Sequence, residues 1–406
     1  MIQKFIENNY EIVDFEEFAD IYVINTCTVT NMSDKKSRQI IRRAKHKNEN
    51  AILVVVGCYA QVAKEKLEKI DEVDIVLGNN EKGDIVNLVE TYEKNIVTDV
   101  MQQKEFVEFG ATTYTDKTRA VIKVQDGCDR FCSYCIIPYA RGRVRSRKIE
   151  NVVEEITKIA QNGIKEVVIT GIHIASYGKD FKDGTSLIDL LEAINKIDGI
   201  ERIRLGSLEP LIITEEFLQR LTKLEKICDH FHLSLQSGCD ETLKRMNRRY
   251  TTEEFEHIVN LLRKAYPEVA LTTDIIVGFP EESEEEFDKT YKFLSKIKFM
   301  KMHVFKYSQR DGTKAAVMKN QIDGNIKEER SNNLIELSDK NEKEFIENYI
   351  GKQVEVLFEQ VVGDYIEGHT KNYVVVKVPK NEVIENEMKK VKIANSDNLT
   401  LIGEIN

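Results

Sequence analysis

The sequence is short of three things, and each shortage excludes a class of protein. It has no long apolar run. Its most hydrophobic stretches, such as Ala51–Val56, fall far below the roughly 20 residues a helix needs to cross a bilayer. The opening, MIQKFIENNYEIVDF, has no basic region followed by a long apolar one, so it does not read as a secretory leader. Positive charge is also in deficit. A formal net charge of −10 argues against a protein that coats nucleic acid without selectivity. A local basic surface survives that argument, because binding depends on the field near the site. Finally, the seven cysteines form only one tight group, and no second C-x2-4-C knuckle exists to complete an ordinary structural zinc site. The expectation is a cytoplasmic, membrane-free monomer whose reduced thiols are available to metals.

What is present suits two or three domains with cores of their own. Residues 1–9 read as the back half of an amphipathic helix. Ile21–Ile24, Ile52–Val56 and Asp74–Leu77 read as buried strands, with a polar helix over 33–47. This pattern predicts a small parallel α/β layer over 1–92. Cys27 and Cys58 fall just past the C-terminal ends of its first two strands, where open α/β sheets hold their ligands. Residues 93–118 are polar and irregular and read as a linker. From 119 to 342 a β–α alternation repeats, with strand candidates at 120–125, 166–171, 202–207, 230–235, 270–278 and 301–308. That predicts a partial (β/α)6 barrel with its chemistry at the C-terminal strand ends. Thr251 with Glu254, and Ser283 with Glu286, fit capping boxes, and Thr214 fits an N-cap. A charged helix over 326–350 leads into short strands that predict a small β-barrel over 343–406, a shape often used for RNA.

The chain is organised around VIKVQDGCDRFCSYCIIPYARGRVRSR, residues 121–147. A β-like lead-in delivers Cys128, Cys132 and Cys135 in a C-x3-C-x2-C pattern. Three close thiolates with no fourth suit a [4Fe–4S] cluster with one iron left open. The alternatives are a chance grouping or a zinc site completed by a distant residue. Arg141, Arg143, Arg145, Arg147 and Lys148 follow at once, and in an otherwise acidic chain they read as phosphate contacts or as a solvated basic loop. Lys35, Lys36, Arg38, Arg42, Arg43, Lys45 and Lys47 either extend that surface or form a solvated helix face. Cys228 and Cys239 have no ligand spacing and read as ordinary, partly buried thiols.

The cysteine motif after the first strand of a six-fold barrel, with Tyr134 before the third cysteine, resembles the radical S-adenosylmethionine (SAM) superfamily. The string QDGCDRFCSYCIIPYARGRVRSR and the domain order resemble its methylthiotransferase family: an N-terminal α/β domain, the barrel, then a TRAM-type β-barrel. INTCTVTNMSDKKSRQ and HVFKYSQRDGTKAA look most like the enzymes acting on N6-threonylcarbamoyladenosine in tRNA. Relatives acting on isopentenyladenosine or on a ribosomal protein aspartate are the alternatives, and a non-catalytic RNA-binding metalloprotein is a third. The resemblance implies that Cys128, Cys132 and Cys135 hold a cluster whose open iron binds SAM. A 5′-deoxyadenosyl radical then takes hydrogen from carbon 2 of the adenine, and a methylated sulfur is inserted, with a second SAM supplying the methyl group. Such a C–H bond lies beyond side-chain acid–base chemistry, so the cofactor must act. The implied cofactor contacts are Tyr134, Gly171, His173, Ser207, Glu209, Gln236 and Asp274, although His173 and Glu209 suit structural roles equally well. The implied partners are tRNA and a reducing electron donor.

Two departures from the family stand out. Methylthiotransferases carry three N-terminal cysteines for a second, auxiliary [4Fe–4S] cluster, and here only Cys27 and Cys58 match. Either the true start lies upstream or the product is defective in sulfur insertion. The joint loss of a strand and a ligand favours the first. The other departure is Glu281, where the family commonly has glycine.

Overall fold

A computed structural model describes residues 1–28, 30–108 and 118–405. Of the expected linker, residues 109–117 lie outside the described residues. The chain forms two compact units. The first comprises Met1–Thr112, Asp126–Ser146 and Ser308–Val317, and the second Thr113–Gln125, Arg147–Tyr307 and Met318–Asn406.

The first unit is built on a parallel sheet in the order β1 (Ile21–Thr26), β2 (Ile52–Gly57), β3 (Ile75–Leu77). The central strand carries an unbroken apolar run, and Val54, Val55 and Val56 are fully buried, as a strand covered on both faces requires. One face packs on Ile41 and Ala44 of α2 (Asn31–Lys47), with α1 (Ile2–Glu7) preceding β1 and supplying Phe5 to the other. Thr30 caps α2 by accepting from the Ser33 N–H. The short α3 (Cys58–Val62) starts directly at the end of β2. The described part of the linker is irregular but packed, since the Gly78 N–H donates to Ile96 O at 3.0 Å.

The second unit holds six parallel strands. β4 (Arg119–Asp126), β6 (Glu166–Gly171) and β7 (Arg202–Leu205) pair in that order. So do β8 (His230–His232), β9 (Ala270–Val277) and β10 (Lys301–Lys306). Isolated bridges Ile203↔Ile227 and Leu208↔Leu233 join β7 to the β8 side. The two-residue strand β5 (Arg145–Ser146) precedes the first barrel helix. The result is the partial (β/α)6 barrel, with amphipathic helices such as Thr252–Ala265 burying Phe255, Ile258, Val259 and Leu262 against it. Both expected capping boxes form, and Ser186 with Asp189 adds one that the sequence reading missed.

The chain ends in a closed five-stranded barrel, β11 (Gln353–Val362), β12 (Tyr365–Thr370), β13 (Val375–Pro379), β15 (Thr400–Ile405) and β14 (Met388–Asp397), in that spatial order. Closure removes the exposed edges that a small sheet would otherwise present. At the N-terminal ends of the large sheet, Arg119, Glu166 and Arg202 stand in register across β4, β6 and β7. Arg204 pairs with Glu166 at 2.7 Å and donates to Lys371 O at 3.0 Å, while Arg202 donates to His369 O at 2.7 Å. Buried ions thus clasp the small barrel to the large one, with backbone carbonyls accepting from both guanidinium groups.

Candidate active site

In the first unit the parallel register sets Thr26 opposite Gly57, so Cys27 and Cys58 leave adjacent strands side by side. Gly57 has φ +106°, and a Cβ there would meet Thr26 O at 2.3 Å; glycine alone permits this approach. Cys27 is exposed and Cys58 buried. The Cys58 sulfur accepts from Arg141 Nε at 3.2 Å. Arg141 and Arg145 both face Asp126 at 3.6 Å. Asn79 reaches Ala140 O at 2.8 Å, tying the sheet to the segment after the cysteine loop.

Cys128, Cys132 and Cys135 are free thiols of intermediate exposure in the same unit. Their loop is held by backbone bonds: Cys128 N–H to Gly142 O at 3.0 Å, Cys135 N–H to Cys132 O at 3.0 Å, and Ala315 N–H to Ser133 O at 2.8 Å. Phe131 takes a left-handed conformation, φ +49°, at the turn between the first two cysteines. Burial pushes the Cys128 thiol up from its ordinary value, so metal loading there must displace a proton. Among the described residues no three His, Cys, Asp or Glu side chains converge as a metal site. The fit to a cluster therefore rests on the donors, three soft thiols on one anchored loop. Tyr134 is half-buried within that loop.

The basic run behaves differently from the expectation of a phosphate-facing row. Arg145 and Arg147 are buried. Arg145 faces Asp126 and donates to Arg141 O at 2.9 Å, and Arg147, in the second unit, is ion-paired with Glu155. Arg141 is turned to Cys58. Only Arg143 and Lys148 stand exposed, and Arg143 pairs with Asp129 at 3.2 Å over the Phe131 ring. A polypeptide of alternating arginines beside acidic residues satisfies its charges internally first. On α2, Lys45 pairs with Asp74 and Lys47 with Glu16, whereas Lys35, Lys36 and Arg42 stand exposed.

A cavity of about 490 Å³ opens in the first unit. Thr28, Tyr59 and Ile136, each the residue after a cysteine, contribute to its wall, and Arg38, Tyr139 and Arg310 complete much of the rest. Buried Arg310 donates to Thr28 and, at 2.7 Å, to Asp34. Sequence reading missed Asp34, Tyr59 and Arg310 as site residues, because isolated polar residues in loops carry no spacing signal.

In the second unit the expected cofactor residues lie at the C-terminal strand ends. Gly171 sits so close to β4 that a Cβ would meet Gln125 O at 2.8 Å. The buried Gln125 amide accepts from the His173 N–H at 2.7 Å. His173 Nε2 faces Glu209 at 3.4 Å, Ser207 and Ser234 share a 2.6 Å hydrogen bond, and Asp274 faces His232 at 3.2 Å. Gln236 is left-handed, φ +72°, and its N–H bonds Asp274 O at 2.9 Å. Gln125, His232 and His303, which stacks on His232 at 5.8 Å, join this group. Cys228 and Cys239 are buried away from any ligand set, and burial pushes Cys228 up to about 11.

Comparison with known proteins agrees with this arrangement. Residues 122–294 match the Radical SAM superfamily, and residues 1–78 match the Uncharacterized protein family UPF0004. The threonylcarbamoyladenosine tRNA methylthiotransferase MtaB of Bacillus subtilis is 43% identical over 96% of this chain and 89% of its own length. The chain belongs to the radical SAM tRNA methylthiotransferase family. A protein of the same name from Aquifex aeolicus is 46% identical over 87% of each chain. A tRNA-2-methylthio-N(6)-dimethylallyladenosine synthase from Alkaliphilus oremlandii is 35% identical over 98% of this chain and 88% of its own. The solved structure of the radical SAM methyltransferase TsrM from Kitasatospora setae shares the fold, with TM-score 0.58, 16% identity, and 74% and 67% of the two chains covered. Membership brings a [4Fe–4S] cluster and SAM as cofactors. No helix among the described residues is long and apolar enough to cross a membrane.

Proposed function

We propose that this enzyme methylthiolates carbon 2 of N6-threonylcarbamoyladenosine beside the tRNA anticodon. What carries the reading is the 43% identity across 96% of the chain to a relative named for that substrate, against 35% to one named for dimethylallyladenosine. In this reading Cys128, Cys132 and Cys135 hold the cluster. When bound, the cluster and SAM supply the radical that an aromatic C–H requires. The chain's own residues position the reactants. Gln125 fixes the His173 backbone, Glu209 orients the His173 ring, and the left-handed Gln236 turns the chain at the strand end beside Asp274. Cys27 and Cys58 stand at the sulfur-donating side, with Arg141 Nε donating to the Cys58 sulfur at 3.2 Å. Of the basic run, the exposed Lys148 and Arg143 meet tRNA phosphate, Arg143 by giving up Asp129.

The test is nucleoside mass spectrometry on tRNA incubated with anaerobically reconstituted enzyme, SAM and a chemical reductant. The expected result is the 2-methylthio form of threonylcarbamoyladenosine with 5′-deoxyadenosine, both lost in Cys132→Ala. A colourless protein that binds RNA without cleaving SAM, or product on dimethylallyladenosine instead, would overturn the reading.

A further inference from the structure

We infer that the cavity beside the cysteines receives the substrate's N6 arm and that Arg38 reads the arm's carboxylate; this rests on the substrate reading above. The cavity, at about 490 Å³, is within the roughly 300–1,000 Å³ typical of ligand pockets. The residues following Cys27, Cys58 and Cys135 all line it, so a bound group sits next to both cysteine groups.

Charge then selects the ligand. The wall carries Arg38, Lys66 and Arg310 against Asp34 and Asp311. Arg310 is matched by Asp34 at 2.7 Å and Lys66 by Asp311 at 2.8 Å. Arg38 instead donates to a neutral group, the Tyr59 hydroxyl, at 3.0 Å. The wall therefore has one cation more than it has carboxylates. A half-buried guanidinium with spare donors favours a planar anion that can take two of them. A threonylcarbamoyl arm offers one carboxylate, with a hydroxyl and a carbamoyl for Thr28, Tyr59 and Tyr139. A dimethylallyl arm is pure hydrocarbon, and seating it there strips water from Arg38 without repaying the loss. Arg38, Thr28 and Asp34 come from INTCTVTNMSDKKSRQ, and Arg310 and Asp311 from HVFKYSQRDGTKAA. The two segments that most resemble the threonylcarbamoyladenosine enzymes thus wall one cavity.

The rival anion is a backbone phosphate. Binding of anticodon stem-loops carrying unmodified, threonylcarbamoyl or dimethylallyl adenosine to the reconstituted full-length enzyme separates the cases. The wild type should prefer the threonylcarbamoyl stem-loop to the unmodified one by roughly ten- to a hundredfold, the range of a charge-assisted hydrogen bond. Arg38→Gln should abolish that preference while leaving the unmodified stem-loop bound as before, and Arg38→Lys should keep part of it. Iron content and circular dichroism matching the wild type certify the variants as folded. Equal weakening of both stem-loops by Arg38→Gln would identify a phosphate contact and overturn the inference, as would a preference left intact or one absent from the wild type. Product analysis on the same samples distinguishes the deeper failure. Methylthiolation of the threonylcarbamoyl stem-loop with an unchanged preference sinks only the role of Arg38, whereas methylthiolation of the dimethylallyl stem-loop alone sinks the substrate reading too.

Discussion

The two ends of the six parallel strands treat charge in opposite ways. At the N-terminal ends, Glu166 lies between Arg202 and Arg204, and backbone carbonyls of the small barrel accept from both guanidinium groups. At the C-terminal ends, polar side chains meet one another across neighbouring strands, as in His173 with Glu209 and His232 with Asp274. The backbone there is also strained, with Gln236 at φ +72° and Glu281 at φ +67°. Burial of charge is thus no mark of a site by itself. A guanidinium closed off by carbonyls is a fastener, whereas polar side chains that lean on one another at a strand end can exchange those partners for a ligand.

The largest effect that would break this contrast is at Glu166. Glu166→Ala leaves the buried Arg204 guanidinium without its carboxylate and should cost about 3–5 kcal/mol. It should leave iron per folded chain unaltered, as read by urea midpoint and iron assay on the same samples. A cost below about 1 kcal/mol would mean the N-terminal ends are no clasp.

The next effect sharpens the contrast through pH. His230 opens β8 at the same end, bonded to Thr272 at 3.1 Å and 5.3 Å from the Tyr373 ring centroid. Burial holds its ring neutral, pushing it down to about 3, and Arg204, His232 and His303 add to this. The unfolded imidazole takes its proton below about pH 6.5, whereas the folded one resists until near 3. Stability is therefore lost as pH falls through that window, by up to about 1.4 kcal/mol per unit. His230→Gln should flatten the dependence of the urea midpoint between about pH 6.5 and 4.5. An unchanged slope would show that the ring is not held neutral.

The smallest effect concerns the strained end. Glu281 occupies a left-handed conformation, its N–H bonded to Asn320 O at 3.0 Å. Glu281→Gly should relieve about 1–2 kcal/mol of steric cost against roughly 0.5–1 kcal/mol of added chain entropy. A net gain near 0.5 kcal/mol should appear as a small rise in melting temperature. A fall would mean that the carboxylate has a partner to lose.

Elements driven by local pattern were readable from the residues. Apolar runs bounded by polar turns placed β2, β6 and β9, and Thr251 with Glu254 marked a helix start through its own hydrogen bonds. The β14–β15 pair escaped because β14 mixes lysine and asparagine with few apolar residues and β15 is a short strand interrupted by Gly403. At the site, cysteine spacing singled out the thiols, since their chemistry demands closeness along the chain. The fate of the arginines was not legible: whether Arg145 meets solvent or Asp126 depends on packing, which no local pattern encodes. Arg310 was hidden for the same reason, its partners Thr28 and Asp34 lying in a remote segment.

That separation has a consequence for synthesis. All five thiols at issue, Cys27 to Cys135, precede the segment Ser308–Val317 that belongs to their unit. On the ribosome, the Ser133 carbonyl waits for the Ala315 amide, and Asp34 for Arg310, until most of the chain has been made. The order of translation therefore opens an interval in which the thiols exist and their enclosure does not.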